Sequence, residues 1–493
     1  MCSEEHALST HHGRGVNPAA CDRGDRVKRV VIVGAGIAGL AIAWALRQRE
    51  SAVDVVVLER SVRTGGHIHT AHVDGYTCEA GPDGFLDNAP ATLTLVDEIG
   101  LSPRLLPSND AARRRYIVHR GRLCEVPSSI GTFIRTPLLS ARGKLRLALE
   151  PFARRHPGTE ESIGEFARRR IGREAASMFV EPMVSGIHAG DANALSLRAC
   201  FPRLSQLEAD HGGLLRALLA TRRARQPATP PGTPTGRLTS FAGGMAELTD
   251  ALTRRLGTAV RTATPAVTLE DRLQIGFGPN GSSTSRYAVS TPDGIMSADA
   301  VVLSGPARET AALLHRLDPT IETLLQGIPT APLAVVGVGY SGKDITRRGE
   351  LDGFGFLAPR HEGIRILGAL CETSIYRHRA PEGKVLLRVM IGGAMDPDAV
   401  RLSDGELLDV ARRDLARIMG LSAVPEFVRI VRHSGGIPQY VKGHLARIHQ
   451  IETLLQAHPG LYLAGSSYRG VSINSCIAEA GGIADRVLQS IAG

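Results

Sequence analysis

The chain has 493 residues, room for two to four domains at about 100–200 residues each. Its hydrophobic content of 43% and charged content of 22% exclude a disordered chain, and an aromatic content of 4% speaks against a nucleic-acid reader that stacks bases on aromatic rings. The formal charge of +9 rests on arginine, since Lys28, Lys144, Lys343, Lys384 and Lys442 are the only lysines, and it suits either an anionic partner or a solvated arginine-rich surface.

Residues 1–27 mix charges, His and Gly without an apolar stretch, which reads as a flexible tail with no secretory signal. Residues 30–46 then run uncharged between Arg29 and Arg47. That run sits at the lower limit for a membrane span, but Gly34, Gly36 and Gly39 divide it into a β-branched strand, a tight turn and a helix. In such a unit the first glycine permits the turn, the second lets the backbone approach a pyrophosphate and the third lets helix pack on strand. The free N–H groups at the helix start favour the phosphates. The next strand is expected at 54–58 and ends on Glu59, placed to accept ribose hydroxyls, with Arg60 beside it. An acid there disfavours NADP. Gly65 and Gly66 follow directly, where the chain can pass close to an extended cofactor, and Gly81 comes shortly after.

From 119 to 237 the pattern is mainly helical, with many arginines among Leu and Ala. Phe133, Ile134, Leu138, Leu139 and Leu145 lie there among Arg135, Arg142, Lys144, Arg146, Arg154 and Arg155, which suits either a peripheral surface on anionic lipid or an amphipathic layer packed on the core. A Pro/Gly/Thr loop at 226–236 ends that region. Residues 239–245 read as a turn into a helix, and 301–306 as a strand and turn. The chain closes with a strand ending in Gly465, a glycine-containing loop to Asn474 and a helix over 476–491, a second anion-cradling helix start that an FAD needs and an NAD does not. The seven cysteines are scattered without a Cys-x-x-Cys pair, so neither a metal site nor a redox centre is expected, and a reducing compartment is.

These pieces resemble the superfamily of FAD-dependent amine oxidases and protoporphyrinogen oxidases from about residue 30 onward. Four further segments are similar to the protoporphyrinogen oxidase family in particular: 181–191 with Leu195, Ser196 and 200–202; 353–359; 436–440 with Gly443 and His444; and 470–477. The resemblance implies an α/β chain. A discontinuous Rossmann-like FAD-binding domain would take 28–82, 238–308 and 428–493, a mixed-sheet substrate domain 83–118 and 309–427, and a helical, membrane-facing domain 119–237. It implies non-covalent FAD, held by the glycines above with Glu59, Arg60, the backbone of Val267 near the adenine, and Gly465, Val471, Ser472 and Ile473. The implied reaction is the six-electron oxidation of protoporphyrinogen IX to protoporphyrin IX, with dioxygen reduced to hydrogen peroxide.

By the same resemblance, Arg115 would pair with a substrate propionate, a role that suits a planar guanidinium. Tyr376 would stack on a pyrrole ring, Leu357 would lie across the macrocycle, and Gly186 would pass beside it. His433, His188 and Asp83 stand where some relatives have Trp, Tyr and Arg, and no general base can be named. Coproporphyrinogen III, with four propionates, stays open as the substrate. A flavin amine oxidase and a non-catalytic FAD-bound basic scaffold are more distant readings. Other expectations are a cytoplasmic protein, peripheral on the inner face of the cell membrane, with no nucleic-acid partner. A homodimer and a hand-off of product to a ferrochelatase are left open.

Overall fold

In the computed structural model, which describes residues 27–50, 52–154, 158–223, 236–272, 285–345 and 352–492, the apolar run after Arg29 is split between a strand and a helix. Consecutive β-branched residues disfavour a helix and suit a pleated surface, and Arg29–Val33 is a strand. Beyond the glycine turn Ile37–Arg49 is helical. Four strands join Arg29–Val33 in a parallel sheet, in the spatial order Val260–Arg261, Asp54–Leu58, Arg29–Val33, Ala300–Leu303, Leu461–Leu463. Both faces are covered, as a parallel sheet requires. Val30, Ile32, Val57 and Val302 point into a core closed by the helices Ile37–Arg49, Ala246–Leu256 and Ile473–Ala492. Val31, Val56 and Val301 point the other way, onto an antiparallel three-stranded sheet and the helices Ala307–Leu314, Pro319–Gln326 and His444–Leu455.

The second layer is a mixed sheet of seven strands, in the order Phe427–Pro438, Thr330–Ser341, Lys384–Gly392, Ile366–Cys371, Gly355–Leu357, Tyr116–His119, Arg122–Glu125. Only the pair between Gly355–Leu357 and Tyr116–His119 is parallel. One face carries Val336, Val338, Leu387 and Val389 against Leu407, Ala411 and Leu415 of the helix Asp404–Met419. That helix starts on a reciprocal cap, with Ser403 Oγ accepting the Glu406 N–H and the Glu406 carboxylate accepting the Ser403 N–H.

Two expected boundaries move. The segment 428–438 was placed with the dinucleotide unit, but it belongs to the strand Phe427–Pro438, which pairs along Thr330–Ser341 in the seven-stranded sheet. Likewise Arg122–Glu125 is a strand in that sheet, paired antiparallel with Tyr116–His119 across a two-residue turn, and the helical layer begins only at Ile130. This layer has its own small core of Ile163, Phe166, Val184, Leu195 and Leu197. A fully buried pair, Arg170 and Glu150, pins it. Glu150 also accepts the N–H groups of Leu214 and Leu215 at 2.9 and 3.0 Å, satisfying two orphan donors of a helix start. Most of the Pro/Gly/Thr loop and the N-terminal tail lie outside the described residues.

Candidate functional site

The first glycine turn is held by backbone geometry. Gly34 has φ +107°, and its N–H donates to the Leu58 carbonyl at 2.8 Å. A Cβ on Gly39 would lie 2.0 Å from the Gly34 carbonyl oxygen, so only glycine lets this helix sit so close to the strand. Ser304 Oγ stands beneath and donates to the carbonyls of Val33 and Gly34, both at 2.9 Å. Gly36 is different: a Cβ there would meet nothing within 4 Å. It faces open space at the start of a helix with no side-chain cap and no acid in its first turn. An uncapped helix start facing a void fits a phosphate group.

Other predicted cofactor residues gather around this space. The Gly65 N–H donates to the Ala35 carbonyl at 2.8 Å, and a Cβ on Gly66 would stand 3.5 Å from the Gly36 Cα. Gly81 packs on the carbonyl of His67. Glu59 is buried at the end of its strand, where Oε2 accepts the Ala35 N–H at 2.9 Å and Oε1 the Ser61 N–H at 2.8 Å. Each oxygen keeps a lone pair for a ribose hydroxyl. Gly465 at φ +100° lies over Ala38, bringing the C-terminal loop onto the first helix start. In that loop Tyr440 Oη donates to the Ser466 carbonyl at 2.6 Å and accepts the Gly470 N–H at 2.8 Å. Ser472 Oγ accepts the Ser475 N–H at 3.1 Å, and the helix begins at Ile473, ahead of the expected start at 476.

Two predicted residues differ. Arg60 is exposed and pairs with Glu309 at 2.8 Å. The Val267 N–H already donates to the Ser290 carbonyl at 2.8 Å, because 268–271 is a strand whose pairing extends back to it. Val267 therefore has no free amide for an adenine. Taken together, the void at Gly36, the uncapped helix and the Glu59 carboxylate fit an adenine dinucleotide, and the second helix start at Ser472 suits the longer FAD.

On the substrate side, three consecutive arginines have different fates. Arg113 pairs with Asp110 at 3.2 Å and Arg114 with Asp352, whereas Arg115 has no ion pair among the described residues. Its guanidinium instead lies 5.3 Å over the ring of Phe354, and this packing lowers its pKa by desolvation. Gly186, expected beside the substrate, and Leu357, expected across the macrocycle from Tyr376, come together: a Cβ on Gly186 would fall 2.5 Å from Leu357 Cδ2. Leu357 pairs in register with Ile117, two residues from Arg115. Tyr376 is buried rather than open to a ring, packed with Ile375, Leu106, Leu238 and Phe354. Arg379 lies 5.1 Å over it, and desolvation raises its pKa.

Sequence reasoning missed a buried ionic cluster beside Tyr376. Arg379 Nη1 meets Glu79 Oε1 at 2.9 Å with both side chains fully buried. Glu79 also accepts from the Met245 N–H at 2.9 Å and from Thr70 Oγ1 at 2.7 Å. Arg388 Nε lies 2.6 Å from Glu372 and its Nη2 3.7 Å from Asp83, and its Nη1 donates to the Gly81 carbonyl at 2.5 Å. Only Glu79, a charge closing an apolar strand, hinted at this in the sequence. The two departures near the flavin site are explained by packing. His433 Nε2 lies 2.7 Å from the Ala80 carbonyl and edge-on to His67, whose pKa burial pulls down to about 4. His188 packs edge-on to Phe201, and burial lowers it to about 4 as well.

A family model for flavin-containing amine oxidoreductases matches residues 37–488, and the chain belongs to that family. It is an FAD-dependent oxidoreductase. Its relatives include a coproporphyrinogen III oxidase of Bacillus subtilis (strain 168), 32% identical over 92% of this chain and 97% of that protein. A chloroplastic protoporphyrinogen oxidase of Oryza sativa subsp. japonica is 33% identical over 91% of this chain and 86% of that protein. A crystal structure from Exiguobacterium sp. 255-15, provisionally described as a protoporphyrinogen oxidase, superposes with a TM-score of 0.79 at 28% identity, covering 93% of this chain and 98% of that one.

Proposed function

We propose that this chain oxidises a porphyrinogen to its porphyrin, with dioxygen as the final electron acceptor. When bound, FAD supplies the hydride acceptor on which the chemistry depends. Over three two-electron steps the substrate loses four hydrogens from its bridge carbons and two from its pyrrole nitrogens, three of the six as hydride and three as protons, and three molecules of dioxygen become hydrogen peroxide. The observation that carries this reading is Arg115: the one unpaired guanidinium of its triplet, set over Phe354 and two residues from the partner of Leu357. An exposed guanidinium laid over a ring in this way selects a carboxylate and orients it bidentately. Leu357 and Gly186 supply the close apolar wall that a flat macrocycle needs.

One carboxylate anchor supports protoporphyrinogen IX, which has two propionates. Coproporphyrinogen III is the second reading, favoured by the Bacillus relative, which is matched over nearly its whole length. Porphyrin fluorescence released in air from the two substrates, side by side, separates them. Higher kcat/KM for protoporphyrinogen supports the first, higher kcat/KM for coproporphyrinogen the second, and no product from either contradicts both.

The helical layer adds a surface to this reading. Ile130, Ile134, Leu145 and Phe152 are 71, 65, 62 and 78% exposed, and Arg135 and Arg142 beside them have no ion pair among the described residues. Apolar tips ringed by cations suit the headgroup region of an anionic membrane. No helix among the described residues is long and apolar enough to cross one. The protein would then sit peripherally on the inner face of the cell membrane. Co-sedimentation with phosphatidylglycerol vesicles, lost on I134D/F152D, tests this.

A further inference from the structure

Residues 439–444 follow the edge strand Phe427–Pro438 and lie between the helical layer and the loop that runs from Gly465 to the last helix. On the helical side the Ser196 N–H donates to the Tyr440 carbonyl at 2.8 Å, and the Lys442 N–H to the Ala194 carbonyl at 3.0 Å. Glu160 fastens the same seam: one oxygen accepts the Gly443 N–H at 2.6 Å and the other the Ser196 hydroxyl at 2.6 Å. The buried side chain of Gln439 reaches further, with Nε2 donating to the His188 carbonyl at 2.8 Å and to the Ile437 carbonyl at 3.0 Å. His188 ends the helix Glu181–His188 that carries Gly186, and its carbonyl is one of the acceptors that a helix C-terminus leaves without an internal partner. A Cβ on Gly190 would fall 2.6 Å from Gln439 Oε1, so the turn after that helix makes way for the amide.

Tyr440, next in the chain, serves the other side. Its hydroxyl donates to the Ser466 carbonyl at 2.6 Å and accepts the Gly470 N–H at 2.8 Å. Its ring stacks on His444, with centroids 4.0 Å apart and planes inclined by 16°. His444 is fully buried, and its Nε2 lies 2.9 Å from the Tyr468 carbonyl, which makes Nε2 the protonated nitrogen. Backbone groups of Ser466, Tyr468 and Gly470 therefore all end on one stacked pair. A loop between a strand end and a helix start has no ladder to satisfy such groups, so whatever satisfies them fixes its path. That path decides where the cofactor can lie, because Gly465 at one end sits over Ala38 of the first helix and Ser472 at the other caps the last one.

We propose that Gln439, Tyr440 and His444 are positioning residues that hold the flavin loop at a fixed separation from the substrate wall. Gln439 sets the end of the Gly186 helix, and Tyr440 with His444 sets the loop from Ser466 to Gly470. The flavin half stands on FAD dependence alone, and the wall half rests on the porphyrinogen reading. Gln439 and Tyr440 are joined by a planar peptide that keeps their Cα atoms about 3.8 Å apart, so the two anchors cannot drift independently. Hydride transfer needs its reacting atoms about 3–3.5 Å apart, and a misplacement of about 1 Å costs of order a hundredfold in rate. None of the three residues has to touch the substrate or exchange a proton with it.

Three variants of the full chain separate the two halves. Tyr440→Phe removes the hydroxyl and keeps the stacked ring, His444→Phe keeps a ring and removes the N–H, and Gln439→Met keeps the length and removes the amide. FAD affinity and the visible spectrum of the bound flavin require no substrate. Tyr440→Phe is expected to weaken FAD binding about tenfold and to shift the flavin absorption bands, and His444→Phe, an independent break in the same clamp, to do likewise. Gln439→Met should bind FAD with wild-type affinity and spectrum. With the porphyrinogen that the wild type turns over, Tyr440→Phe should lower kcat about tenfold at unchanged KM, whereas Gln439→Met should raise KM about tenfold. Wild-type FAD affinity and spectrum in both Tyr440→Phe and His444→Phe would overturn the flavin clamp whatever the substrate, even if both variants melt lower, since lost packing alone leaves a bound flavin unaltered. Wild-type KM in Gln439→Met would overturn the wall anchor. Failure of the wild type on every porphyrinogen would overturn the porphyrinogen reading and the wall half with it, leaving FAD affinity and spectrum to decide the clamp.

Discussion

The dinucleotide site and the proposed substrate site are made from different parts of the chain. On the dinucleotide side the working parts are backbone: Gly34 turns, Gly39 lets a helix touch a strand, and Gly36 leaves a void before an uncapped helix start. On the substrate side they are long side chains, such as Arg115 over Phe354 and the Glu79–Arg379 pair, brought together from distant segments. A backbone site depends on spacing within one unit, whereas a side-chain site depends on how two sheets meet. The first tolerates no added atom at Gly34 or Gly39, and the second tolerates no lost partner.

That contrast can be broken most strongly at the buried ions. Arg379→Met leaves Glu79 uncompensated in the interior and is expected to cost about 3–5 kcal/mol in denaturant unfolding. A cost near zero would mean that the cluster is not ionic. On the backbone side, Gly39→Ala forces a Cβ onto the Gly34 carbonyl and should cost about 2–3 kcal/mol together with flavin binding. Gly36→Val sharpens the comparison, because it has room in the apo fold. Its stability without flavin should stay within about 0.5 kcal/mol of wild type, while FAD affinity falls at least about tenfold. Wild-type affinity in that variant would move the phosphates elsewhere.

A smaller effect comes with acid. His67 and His188 are neutral in the fold, their pKa values lowered to about 4, so each contributes stability that is present above about 6.5 and lost as pH falls towards 4. His188→Gln should flatten that fall by about 2 kcal/mol at pH 4 relative to pH 7. A parallel acid profile would mean that His188 is protonated in the folded protein.

How much could be read beforehand follows the same division. The strand–turn–helix at 29–49, the acid at Glu59 and a second helix after the Gly465 loop were legible, because each is a local pattern with one physical reading, although that helix starts at Ile473 rather than 476. Arg115, Gly186 and Leu357 came from family likeness, and the fold brings them to one place. The strand at Phe427–Pro438 was misplaced, since nothing in its own residues says which sheet it joins. Val267 lost its expected amide to a neighbouring strand for the same reason. The Glu79, Asp83, Glu372, Arg379 and Arg388 cluster left almost no local trace, because each member looks like an ordinary surface charge until its partner is seen.

The most direct measurement is steady-state porphyrin formation by flavin-loaded wild type and Arg115→Ala, with substrate concentration varied. Loss of a charge-assisted contact made equally in ground and transition states should raise KM about tenfold or more with kcat little changed, and Arg115→Lys should recover part of the loss. An Arg115→Ala enzyme with wild-type KM would contradict Arg115 as the carboxylate anchor, and with it the reading of the Gly186–Leu357 wall as the substrate site.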